Sequence, residues 1–130
     1  MFSTCIRLRF EIFTNINRNK EKGEYGNPYK KIMNANVAIQ VLPKSDSDEA
    51  LIEIVDQVIA YIASTGLSYY VGPCETSIEG EYDQLMEVIK ECQHVAVRAG
   101  AKEVSAYVKI NYRPEGEVLT IERKVSKHHK

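Results

Sequence analysis

A β-α-β-β-α-β order of elements between Met33 and Lys130 predicts an α+β sandwich. Three observations carry that reading: runs of alternating hydrophobicity near each end, two stretches of helical spacing that each stop at a glycine, and a Gly-Pro bend between them. The first strand is the run in which Val37, Ile39 and Val41 alternate with Asn36, Ala38 and Gln40 until Pro43 closes it, the pattern of a strand with one buried face. Ser45 to Glu49 then offers overlapping helix caps. Asp46 with Glu49 three residues on is the best capping pair, and acids in the first turn suit the helix dipole. Leu51, Ile52, Val55, Val58, Ile59 and Ile62 recur at helical spacing, and Gly66 ends the helix.

Two short β-prone runs, Leu67 to Val71 and Cys74 to Glu79, are joined through Gly72-Pro73, a tight bend, and Gly80 closes the second. The second helix runs from about Tyr82 to Ala99, with Leu85, Met86, Ile89, Cys92, Ala96 and Ala99 on one stripe and Gly100 as its stop. In the last strand Val104, Ala106, Val108 and Ile110 alternate with Ser105, Tyr107, Lys109 and Asn111. Pro114-Glu115-Gly116 turns the chain, and Leu119 to Lys127 is a short amphipathic, helical tail.

Helices placed between non-adjacent strands make two split β-α-β units. The chain therefore reads as a ferredoxin-like sandwich, with both helices on one face of a four-stranded antiparallel sheet and the other face uncovered. Strict alternation puts Asn36, Ala38, Gln40, Ser105, Tyr107, Lys109 and Asn111 on the open face, with Ser77 and Glu79 from the hairpin. That set is too polar for a core and too rich in small residues to be merely solvated. It predicts self-association of subunits through the sheet, with polar groups left for a small guest.

At 130 residues the chain has the length of one domain. Charge is uneven along it: residues 1–32 carry seven basic and three acidic side chains, and the remainder ten basic and fifteen acidic. Residues 1–32 read as an N-terminal extension and 33–130 as the domain. The acidic body argues against a nucleic-acid partner, and neither the last strand nor the hairpin has the exposed aromatics of an RNA-recognition module. No apolar run approaches the roughly 20 residues a membrane span requires. Cys5, Cys74 and Cys92 are odd in number and lack zinc-ligand spacing, which predicts a reduced, cytoplasmic setting. His94 reads as a surface residue, and His128 and His129 as part of a basic end, so no metal is expected.

The run Glu75-Thr76-Ser77-Ile78-Glu79-Gly80 offers two hydroxyls and two carboxylates within six residues. On one strand Glu75, Ser77 and Glu79 point the same way. Either this is a solvated hairpin edge or it is a polar site. A carboxylate pair can do acid–base work, yet no nucleophile, base and orienter follow one another in recognisable order, so catalytic residues are not assigned.

Pro43 after an alternating strand, Gly72-Pro73 followed by Thr76-Ser77-Ile78-Glu79-Gly80, and the close from Ile110-Asn111-Tyr112-Arg113 through Leu119 to Lys127 together resemble the bacterial and archaeal thiamine-binding protein family. The resemblance covers about residues 33 to 128. It implies a non-catalytic, cytoplasmic ferredoxin-like subunit that assembles into dimers or tetramers and binds thiamine or its hydroxymethylpyrimidine portion, with no other cofactor. The family pattern has Thr-Thr before the aliphatic-Glu-Gly; Ser77 keeps the second hydroxyl here, and Cys74-Glu75 replaces a small polar pair. Such a ligand presents a flat aminopyrimidine and a thiazolium cation. Thr76, Ser77, Gln40 and Asn36 suit the pyrimidine edge, Tyr70 or Tyr107 the ring face, and Glu75 or Glu79 the cation. The alternative is a regulatory or assembly module of the amino-acid-sensing sort, whose open face joins subunits.

Overall fold

The structure, a computed structural model, describes residues 32–129. The expectation for an N-terminal extension lies, apart from Ile32, outside the described residues. In chain order the elements are β1 (Ala35–Pro43), α1 (Asp48–Ser64), β2 (Ser68–Val71), β3 (Thr76–Gly80), α2 (Tyr82–Arg98), β4 (Val104–Tyr112) and α3 (Ile121–Val125). The strands form one sheet in the order β2-β3-β1-β4, and every neighbouring pair is antiparallel. This is the ferredoxin-like α+β fold.

Each helix begins and ends on a local signal. Ser47, extended at φ −157°, is the cap of α1, its Oγ accepting the Ala50 N–H at 3.1 Å. The cap is thus one residue beyond the expected Asp46. With Ser47 in that role, Asp48 and Glu49 fall in the first turn, where their charges meet the positive end of the helix. Glu81 caps α2, accepting from Gln84 N at 3.1 Å. That helix ends in a Schellman arrangement: Ala101 N donates to Ala96 O at 3.1 Å and Gly100 N to Val97 O at 3.1 Å. The closure needs Gly100 at φ +118°, a conformation a side chain would oppose.

The core lies between the helices and the face of the sheet carrying Val37, Ile39 and Ile78. Ile62, Ile78, Leu85, Val37 and Cys92 are its largest fully buried side chains, each aliphatic one contributing about 1.5–3 kcal/mol of burial. From α1 the buried residues are Ile54, Val58 and Ile62; Ile52, placed on the apolar stripe by the sequence reading, is 59% exposed. Residues 52 and 54 lie on opposite sides of a helix, and both are isoleucine, so only the sheet selects between them. Val88 joins Leu85, Cys92 and Ala96 in the buried face of α2, while Met86 and Ile89 pack at its flank.

Register fixes the two faces. Opposite Asn36, Ala38 and Gln40 on β1 stand Glu79 and Ser77 on β3, and Asn111, Lys109 and Tyr107 on β4. Tyr70 lies opposite Ser77 on the outer strand β2. The open face is therefore composed as the alternation predicts. It is not fully uncovered.

Candidate functional site

After β4 the chain turns back across the open face. Arg113 N donates to Asn34 O at 2.8 Å and Val118 N to Met33 O at 3.0 Å, bringing the segment against the start of β1. Asn36 Nδ2 then donates to Leu119 O at 3.3 Å, and Ile121 N donates to Glu79 Oε2 at 2.6 Å. The last bond holds the first turn of α3 against β3. Thr120 caps the same turn through its Oγ1, which accepts Arg123 N at 3.2 Å. At the far end the Tyr70 hydroxyl and His129 Nε2 are 3.3 Å apart, with the two rings tilted at 50°. The terminal segment is thus a strap fastened at both ends.

Between strap and sheet lies a cleft of about 280 Å³. Asn36, Ala38, Tyr70, Ser77, Lys109 and Asn111 supply its sheet side, and Ile121, Lys124 and Val125 of α3 its other wall. The small side chains of Ala38 and Ser77, directly opposite each other on β1 and β3, leave the space; larger ones would fill it. The result is a slot with apolar walls and polar groups at its edges, the usual composition of a small-molecule site.

Of the expected site residues, the structure brings Asn36, Ser77 and Tyr70 together in this cleft. The other five stand elsewhere. Thr76 is opposite Ile39 and Val71, on the helix-covered face, and is buried; two adjacent strand residues cannot share a face. Gln40 and Tyr107 face each other on the open side, beyond the strap, where Tyr107 is 67% exposed. Glu75 Oε1 accepts from Lys109 Nζ at 2.8 Å, so its charge is directed at a lysine. Glu79 is 4% exposed and committed to Ile121 N. It serves as an anchor for α3, not as a free anion.

Sequence reasoning placed Lys109 and Asn111 on the open face without assigning them to the site, and it missed the α3 wall of Ile121, Lys124 and Val125. The signal was present. A short amphipathic tail beside a sheet face rich in small residues has an apolar side that needs covering, and the one can cover the other. Among the described residues two cysteines are free thiols, Cys74 exposed and Cys92 buried. Burial pushes the Cys92 thiol up to about 12, with the neighbouring Glu91 charge adding to the effect, so it fills space in the core and is no nucleophile at neutral pH.

The sequence profile described as "Thiamine-binding protein" matches residues 37–129. The chain belongs to the thiamine-binding protein family. The matched stretch contains every cleft residue except Asn36, and it includes the whole strap. A UPF0045 protein of Clostridium perfringens is 45% identical over 93 residues, which are 72% of this chain and 95% of the relative. Among solved structures, a domain of unknown function from Bacillus cereus is 38% identical with a TM-score of 0.66, over 74% of this chain and 90% of that one. A candidate thiamine biosynthesis/salvage protein of Thermotoga maritima is 37% identical with a TM-score of 0.63, over 72% and 97%. Among the described residues no helix is long and apolar enough to cross a membrane, and no group of three His, Cys, Asp or Glu side chains converges as metal ligands would.

Proposed function

We propose that the protein is a non-catalytic cytoplasmic binder of thiamine or its hydroxymethylpyrimidine portion, taken up in the cleft beneath α3, and that it acts as a carrier, buffer or sensor. One observation carries the reading: in a chain of the thiamine-binding family, a slot with apolar walls, edged by Ser77, Asn111 and Tyr70, lies between the sheet and the strap. At about 280 Å³ it is at the lower edge of small-molecule sites, roughly 300–1,000 Å³. A single aminopyrimidine ring suits it, with the rest of a larger ligand directed outward. The hydroxyls and amides at its edges can pair both donors and acceptors on such a ring. Both carboxylates considered for an acid–base pair are engaged, Glu75 by Lys109 and Glu79 by the backbone of Ile121, which favours binding over turnover.

Self-association through the rest of the open face is part of the proposal. Leu42 and Tyr107, both exposed, lie on that face beyond the strap, and β4 is an edge strand nine residues long. Such a surface is normally covered by a partner, and a dimer or tetramer is expected. The same surface supports the second reading, an assembly module of the amino-acid-sensing type.

Titration calorimetry of the full chain with thiamine and with hydroxymethylpyrimidine tests the first reading. Binding is expected, weakened at least tenfold by Ser77→Val, which fills the slot without disturbing the strand. No heat at millimolar ligand would overturn it and leave the assembly reading. Light scattering that returned a monomer would remove the self-association.

A further inference from the structure

The cleft carries the wrong charge for a site evolved only around a thiazolium cation. Its lining contains two ammonium side chains, Lys109 and Lys124, and no carboxylate. The surrounding body is acidic, with nine Lys and Arg against fifteen Asp and Glu over residues 32–129, so two lysines on one small cleft are not the background composition. The two acids of the hairpin are spoken for. Glu79 is buried against the start of α3, and Glu75 holds Lys109 with one of its oxygens. Among the described residues no carboxylate pairs with Lys124. An ammonium has three donors, so the single bond from Lys109 to Glu75 leaves it able to meet a second anion. Ser77 and Asn111 add neutral donors on the same wall.

Resting on the reading that the cleft takes a thiamine-type heterocycle, we propose that its preferred ligand is a phosphomonoester, the phosphate of the hydroxymethylpyrimidine or of thiamine, with the phosphate met by Lys109 and Lys124. Lysine binds phosphate as a point charge and needs no bidentate geometry. The flat ring lies over Ala38, against the apolar side chains of α3. Because Lys124 belongs to the strap and Lys109 to the sheet, a phosphate between them would tie the two together and hold the strap down on the ring. An unphosphorylated ligand leaves the Lys124 ammonium without a counter-charge in the slot.

Calorimetry of the full chain at low ionic strength, with hydroxymethylpyrimidine, its monophosphate, thiamine and thiamine monophosphate as probes, decides the matter. The monophosphates are expected to bind at least about tenfold more tightly than their parent alcohols, a difference of about 1.4 kcal/mol, and the margin should shrink as salt is raised. Lys124→Gln should remove most of the margin, lowering affinity for the monophosphates at least about tenfold more than affinity for the parent alcohols, with the melting temperature unchanged. Lys109→Gln should act in the same direction. Equal or tighter binding of the parent alcohols would overturn the proposal yet leave the proposed function intact; a phosphate preference that survived in both lysine variants would also overturn it. Silence from all four probes would remove both readings.

Discussion

Replacing Glu79 with alanine should unfasten the strap and destabilise the domain together. The carboxylate is 4% exposed and accepts the N–H of Ile121 at 2.6 Å, a charge-assisted bond at the first residue of α3. Hydrogen bonds to charged groups contribute about 1.5–3 kcal/mol, and an orphaned donor costs about 1–3 kcal/mol. Alanine also removes the cost of burying the carboxylate, which offsets part of the loss. A net of about 2 kcal/mol is expected, and for a domain of this size that lowers the melting temperature by roughly 8–16 °C. Glu79→Gln keeps an acceptor and loses the charge, so it should fall between the two. Differential scanning calorimetry reads the stability, and amide hydrogen exchange at Ile121 reads the fastening. In the alanine variant that amide should lose its protection while Val37 and Ile78, in the middle of the sheet, keep theirs. Unchanged protection at Ile121, or an unchanged melting temperature, would refute the assignment of Glu79 as the anchor of α3.

Two further outcomes follow from the helix cap and the buried thiol. Ser47→Ala should cost about 1 kcal/mol by urea denaturation, the usual value of a helix cap, whereas Asp46→Ala should stay within about 0.5 kcal/mol; equal losses would restore Asp46 as the cap. Burial raises the Cys92 thiol from 9.0 to about 12, with Glu91 adding to the shift. Above pH 9 the unfolded chain loses this proton and the folded chain keeps it, so the contribution of the group falls as pH rises through that window. The stability gap between wild type and Cys92→Ala should therefore narrow by about 2 kcal/mol between pH 8 and pH 10.5, and a gap independent of pH would refute it.

The fold was legible because its signals are local and agree with one another. The alternation of Val37, Ile39 and Val41, the glycine stops at 66 and 100, and the bend at Gly72-Pro73 each point to the same order, and together they leave one topology. Where two residues offered the same chemistry the sequence could not choose. Ile52 and Ile54 are identical side chains on opposite sides of one helix, and Asp46 and Ser47 are both good caps; contact with the sheet and the path of the chain decide. Half-legibility of the site has a similar cause. Period-two alternation places Ser77 with Asn36 and sets Thr76 on the other side, a consequence that the resemblance to a Thr-Thr motif obscured. It says nothing of what lies on top of a face, and the α3 wall comes from residues more than forty positions after Ser77.

That wall changes what Glu79 does. Before the strap is considered, Glu75 and Glu79 look like a pair of anions on an open sheet, awaiting a cation. With the strap in place Glu79 is an internal hydrogen-bond acceptor and α3 brings Lys124 to the opposite wall, while Glu75 is paired with Lys109 of β4 without any strap residue taking part. Docking of the strap thus walls the slot and changes its charge, withdrawing the Glu79 carboxylate and adding the Lys124 ammonium. Glu79→Ala should couple the two effects: with α3 released, the slot loses its apolar wall and Lys124 at once, so any affinity for a flat heterocycle and any preference for its phosphate should fall together. A variant that lost the strap's protection against exchange but kept both would show that the site is formed by the sheet alone.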